Sequence, residues 1–150
     1  MSILDRVAEN TTERANLGGS VDGTAVTEVL AAAKTLNAVD SGKTFFLDAA
    51  AGATITLMAG AAGMKADFVV TSAFATSNWI IDSAEGDNIT GNLIVAGGHV
   101  AAAAEDQINF VASAEGVGDR ISLLWDATNS QWIVSGVAAL SGGITATDPS

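Results

Sequence analysis

Arg120-Ile121-Ser122-Leu123-Leu124-Trp125-Asp126-Ala127-Thr128-Asn129-Ser130-Gln131-Trp132-Ile133-Val134-Ser135-Gly136-Val137 is the stretch whose reading decides the fold. On both sides of Ala127-Thr128-Asn129-Ser130, the sequence follows the two-residue period of a strand, in which successive side chains point to opposite faces. With Asp126 opposite Gln131, Trp125 pairs with Trp132 and Leu123 with Val134, all four on one face. That register sets two indoles side by side over a core, where an aromatic cross-strand pair adds roughly 0.2–1 kcal/mol over an alanine pair.

Outward from this hairpin, short β-branched and aromatic runs separated by Gly, Asn, Asp and Ser predict strands at 44–48, 53–58, 67–71, 78–82, 92–96 and 107–112. Ala53, Ile55 and Leu57 face one way while Thr54 and Thr56 face the other, a pattern that calls for one buried and one wetter face, as in antiparallel sheets. Short, regularly spaced strands with turn residues between them predict an all-β fold, an antiparallel β-sandwich or barrel. Ser83-Ala84-Glu85-Gly86 recurs as Ser113-Ala114-Glu115-Gly116, but no third copy exists, so it reads as turn chemistry used twice and not as a stacked repeat.

Residues 1–33 differ from the rest. Charged side chains crowd Met1 to Asn16, Leu17-Gly18-Gly19-Ser20-Val21-Asp22-Gly23 reads as a joint, and Thr24 to Leu36 fits a short helix or a strand. The organisation expected is an N-terminal arm and joint (1–33), a β domain (34–140) and a C-terminal tail (141–150).

Composition removes several function classes. Hydrophobic residues are 49% and charged residues 15% of the chain, which argues against disorder throughout. Six basic against 17 acidic residues leave a charge of −11, so neither a nucleic-acid partner nor an anionic membrane surface is expected. The first residues show no secretory pattern, and the uncharged stretch Ala49 to Met64 is too short and too polar to span a bilayer. With no cysteine there is neither a disulfide framework nor a thiolate site.

Reactive chemistry is equally sparse. His99 stands in a glycine-rich stretch with no acidic neighbour within four residues, and no phosphate loop, dinucleotide fingerprint or paired-histidine motif occurs, so no enzyme activity and no cofactor are expected. Asp82-Ser83-Ala84-Glu85-Gly86-Asp87-Asn88 could fold oxygens around calcium, but its spacing does not match the alternating ligands of a calcium loop, so it reads as a solvated acidic turn. Trp79 or the Trp125/Trp132 pair would have to lie exposed to form a sugar-stacking platform.

Asp40-Ser41-Gly42-Lys43-Thr44-Phe45-Phe46-Leu47-Asp48-Ala49-Ala50-Ala51-Gly52, continued by Ala53-Thr54-Ile55-Thr56-Leu57, resembles small structural proteins of tailed bacteriophages, the capsid decoration or cement proteins. Gly118-Asp119-Arg120-Ile121-Ser122-Leu123, Asn129-Ser130-Gln131-Trp132-Ile133-Val134-Ser135-Gly136 and Gly142-Gly143-Ile144-Thr145 extend the likeness over roughly residues 34–145. Met58 after Leu57, where a Pro is usual, and Ser130-Gln131 before Trp132 depart from the pattern at strand ends. The resemblance implies a virion protein on the outer surface of the capsid, with the major capsid protein and further copies of itself, as a homotrimer, for partners. The alternative is a tail or fibre-associated domain that binds a host cell-surface glycan. The arm is outside the resemblance; its apolar residues Ile3, Leu4 and Val7, with Leu17 at the joint, are the expected capsid-binding residues, since a segment ordering on contact can wrap surface that a compact domain cannot reach.

Overall fold

The computed structural model describes residues 24–149 except 85 and 87. Twelve strands occur among them: β1 (Thr27–Leu30), β2 (Lys34–Thr35), β3 (Thr44–Leu47), β4 (Thr54–Thr56), β5 (Lys65–Val70), β6 (Trp79–Asp82), β7 (Ile89–Val95), β8 (Gly98–Glu105), β9 (Gln107–Phe110), β10 (Arg120–Asp126), β11 (Gln131–Ala138) and β12 (Ile144–Thr147). A single 3-10 turn, Ala38–Asp40, precedes β3. The strands form a sandwich of a seven-stranded sheet, β1-β3-β5-β10-β11-β7-β8, and a five-stranded sheet, β12-β9-β6-β4-β2.

Both sheets are mixed, where alternation alone suggested antiparallel pairing throughout. The chain explains the difference: from β1 to β6 it steps to the other sheet at every strand, so every second strand returns to the same sheet in the same direction. Hence β1, β3 and β5 pair in parallel, as do β2, β4 and β6. The later strands add antiparallel hairpins, plus one parallel contact between β11 and β7. A period of two identifies a strand but not the sheet it joins.

The anticipated hairpin register is present residue for residue: Asp126 opposes Gln131, Trp125 opposes Trp132 and Leu123 opposes Val134. The two indoles meet edge to face, with ring centroids 5.3 Å apart and planes at 69°, and both are buried. Asp126 organises the loop by accepting from the Thr128 N–H at 2.9 Å and from Asn129 Nδ2 at 2.6 Å. Across the parallel pair β3–β5, Phe45 and Phe68 stack at 5.3 Å. Trp79, Ile81, Ile108, Phe110 and Ile144 close the core from the five-stranded sheet.

Residues 27–33, grouped with the arm by sequence, supply β1, and 141–150, grouped as a tail, supply β12, which pairs with β9. Both strands are short and lie at sheet edges, where few apolar side chains are needed and the pattern is correspondingly faint. Strand β8 shows the same effect. It follows a two-residue turn at Ala96 (φ 50°) and Gly97 (φ 78°), the hairpin geometry that demands positive φ twice. Its four alanines carry little strand preference.

Candidate functional site

The strand registers define what each sheet shows on its outer side. On the five-stranded sheet, one row reads Thr147, Gln107, Asp82, Thr56 and Thr35, and the next reads Thr145, Asn109, Ile80 and Thr54. Their polar groups bond to one another: Gln107 Nε2 donates to Asp82 at 2.7 Å and Asn109 Nδ2 to Thr147 at 2.8 Å. This side is mostly polar, and two of its side-chain bonds close within it.

The outer side of the seven-stranded sheet is different in kind. One row crosses all seven strands as Val29, Phe46, Val69, Arg120, Val137, Ile94 and His99. The adjacent row is Thr27, Thr44, Asp67, Ser122, Ser135, Asn92 and Ala101, and a third brings Leu124 and Ile133 between Lys65 and Thr90. Several of the apolar side chains are well exposed: Val29 at 61%, Leu124 at 53%, Ile94 at 44%, Val137 at 42% and Ile133 at 39%. With strands ~4.8 Å apart and rows ~6.8 Å apart, the three rows cover about 600 Å². A shallow, open groove of about 500 Å³ runs between β5, β10 and β11, lined by Asp67, Val69, Arg120, Ser122, Ser135 and Val137 among others.

The charges divide in the same way. Lys34 and Lys43 are locked in a four-membered cluster with Glu28 and Asp40: Lys34 Nζ lies 2.5 Å from Glu28 and 3.2 Å from Asp40, and Lys43 Nζ 3.0 Å and 2.7 Å from the same two. The cluster ties edge strand β1 of one sheet to edge strand β2 of the other, with Lys34 also over the Phe45 ring at 5.5 Å. The Lys34 hydrogen bond, with help from Lys43, holds the Glu28 carboxyl below its ordinary value. Burial works to raise Asp40, yet hydrogen bonds from Lys43, the Asn37 N–H and Lys34 outweigh it and leave it lowered. The Asp40 hydrogen bond in turn raises Lys43. This cluster is a structural clasp between the two sheets. The remaining described cations, Lys65 and Arg120, make no ion pair among the described residues, and both stand on the outer side of the seven-stranded sheet.

None of the family models, curated proteins or solved structures compared with the chain matches it.

Ile3, Leu4, Val7 and Leu17 lie outside the described residues. The indoles offered as a sugar platform do not form one: Trp79, Trp125 and Trp132 all point into the core. His99 is exposed on β8, its Nε2 2.7 Å from Asn92 Oδ1. In the acidic turn, Asp82 is engaged by Gln107 and the Ser83 hydroxyl bonds Asn88, while Glu85 and Asp87 are outside the described residues. Among the described residues no three His, Asp or Glu side chains gather as metal ligands would. Asp119, buried, accepts from the Gly116 N–H at 2.8 Å and the Ala139 N–H at 2.9 Å, so both its oxygens are spent fastening two loops.

The apolar outer face was not singled out from sequence, although its signal is there. Leu124 between Leu123 and Trp125, and Ile133 between Trp132 and Val134, put large apolar side chains on the side that alternation reserves for water. A strand that is apolar on both sides marks either a sheet covered on both sides or a face awaiting a partner.

Proposed function

We propose that this protein is a structural component of a tailed-phage virion that binds the outer surface of the capsid and stabilises it, acting through the outer face of the seven-stranded sheet. The observation behind this reading is the contrast between the two sheets: one outer side is mostly polar with bonds closed within it, the other sets exposed Val29, Val137, Ile94, Leu124 and Ile133 on either side of a polar row, with two cations that make no ion pair among the described residues. Such a surface suits contact with protein. Its area, about 600 Å², falls short of the ~800 Å² per partner usual in stable pairs, so one contact would be weak. On an icosahedral shell many copies bind together, and linking contacts raises the effective concentration of each. Association as a homotrimer and engagement of the shell by Ile3, Leu4, Val7 and Leu17 belong to the same proposal, the major capsid protein being the partner.

The test adds the full-length protein to heads prepared without it, measuring occupancy and the temperature at which the heads release DNA. Saturable binding at hundreds of copies per head and a higher release temperature are expected. Failure of the full-length protein to bind heads rejects the function. An Ile3→Asp/Leu4→Asp/Val7→Asp variant with unchanged occupancy rejects the part assigned to the arm.

A further inference from the structure

We infer that the outer face of the seven-stranded sheet receives a protein surface in which a carboxylate is set among apolar side chains, and that Arg120 is the residue that pairs with it. This rests on the capsid-binding reading above and adds the chemistry of the contact.

Arg120 occupies the central strand of the row that crosses the sheet, with Val69 on one side and Val137 on the other. The Ser122 and Ser135 hydroxyls stand in the next row, along the same groove. A guanidinium offers a planar fork of five donors that fits a carboxylate through two parallel bonds, and it is less strongly hydrated than an ammonium, so it is the cation best suited to being covered by an interface. Among the described residues nothing uses that fork. Asp67, the nearest acid by register, sits one row away and forms no ion pair with it.

Charge decides among occupants. A second copy applied by the same face about a two-fold axis along β10 would meet Arg120 with Arg120, because Arg120 lies on the central one of the seven strands. Like charges facing each other disfavour that contact. Polyanions such as nucleic acid are opposed by the −11 charge of the chain. An acidic side chain bordered by apolar ones satisfies the whole surface: its carboxylate meets Arg120, its surroundings cover Val69, Val137, Ile94 and Leu124, and Lys65 adds attraction at the third row.

The test uses full-length Arg120→Glu, Arg120→Lys and Lys65→Glu, each checked for unchanged circular dichroism and Tm, and titrated onto heads lacking the protein at low and high salt. Breaking a covered charge pair is expected to weaken Arg120→Glu by ~30-fold or more at low salt. Arg120→Lys keeps the charge but not the fork and falls between. Lys65→Glu weakens binding less, and its loss shrinks at high salt. If the wild-type chain binds heads and Arg120→Glu binds within twofold of it, the inference fails while the capsid-binding function stands; if the wild-type chain does not bind, the function itself fails and the inference with it. The chain has no cysteine, so Leu124→Cys is a clean reporter of the face. Fast thiol labelling in the isolated protein and protection on heads support the inference. Slow labelling that becomes fast on adding Ile3→Asp/Leu4→Asp/Val7→Asp overturns it, since the chain's own first residues would then be the occupant.

Discussion

Replacing either indole of the β10–β11 hairpin tests the core most directly. Trp132 is 1% exposed, its centroid is 5.3 Å from that of Trp125, and the edge-to-face angle of 69° is one that the ring quadrupoles favour. Trp125 also packs against Gly60, where an added Cβ would fall 2.2–2.3 Å from three of its ring carbons. Truncating a buried Trp to Ala costs about 3–5 kcal/mol, a large share of the ~5–15 kcal/mol that holds an ordinary domain. In a chain of this size each kcal/mol moves Tm by ~2–4 °C, so Trp132→Ala should lower Tm by about 6–20 °C. Leucine at each position keeps more of the apolar volume and permits a double-mutant cycle. Trp125→Leu, Trp132→Leu and the double variant, compared by urea unfolding, should show a coupling of about 0.5–1.5 kcal/mol beyond area burial. A coupling under ~0.3 kcal/mol, or a Tm loss under ~3 °C for Trp132→Ala, would refute the argument that these rings stabilise each other.

Two further outcomes follow from close approach and from charge. Gly91 has φ 154° and its absent Cβ would fall 2.0 Å from the Val134 carbonyl oxygen, so Gly91→Ala must push β7 off β11; a loss of about 3 kcal/mol is expected, read as a Tm drop of ~10 °C. Because Glu28 and Asp40 are lowered on folding, their contribution is complete above the unfolded carboxyl values and is lost as pH falls through the folded ones, so Tm should decline from about pH 5 downward. Lys43 is raised, so its share is complete below the ordinary lysine value and disappears only as pH climbs through the higher folded one. Lys43→Met should flatten the acid limb of the Tm profile, and an unaltered acid limb would mean the clasp does not couple to folding.

Much of the sandwich was legible because its central strands are long and place a large apolar side chain at successive inward positions. Ile121, Leu123 and Trp125 against Trp132 and Val134 specify a register on their own, since a slip of one residue would turn every one of them to solvent. What escaped is of three kinds. Edge strands β1, β2 and β12 are short, and β8 spends its length on alanine and is announced only by a two-residue turn at Ala96 and Gly97. Strand direction escaped because it depends on which sheet each strand joins, a property of chain path and not of local pattern. The clasp of Glu28, Lys34, Asp40 and Lys43 escaped because those residues are brought together by the sheet crossing; no spacing along the chain marks it. The apolar side chains of the outer face lie between these extremes: Leu124 and Ile133 are visible as breaks in alternation, but only the strand registers place them on the same side of the sheet as Phe46, Val69, Val137 and Ile94.

The asymmetry of the two outer sides bears on how such a protein would sit on a repeating surface. Were both sides apolar, copies could stack face to back without limit, as heterologous contacts that do not close tend to do. Here the outer side of the five-stranded sheet is mostly polar and bonds Gln107 to Asp82 and Asn109 to Thr147, so it offers a neighbour less apolar surface to bury. On the proposed function, one contacting side, one self-bonded side and a weak single contact would together favour a single layer that forms where many sites are presented in register, as on the outside of a capsid.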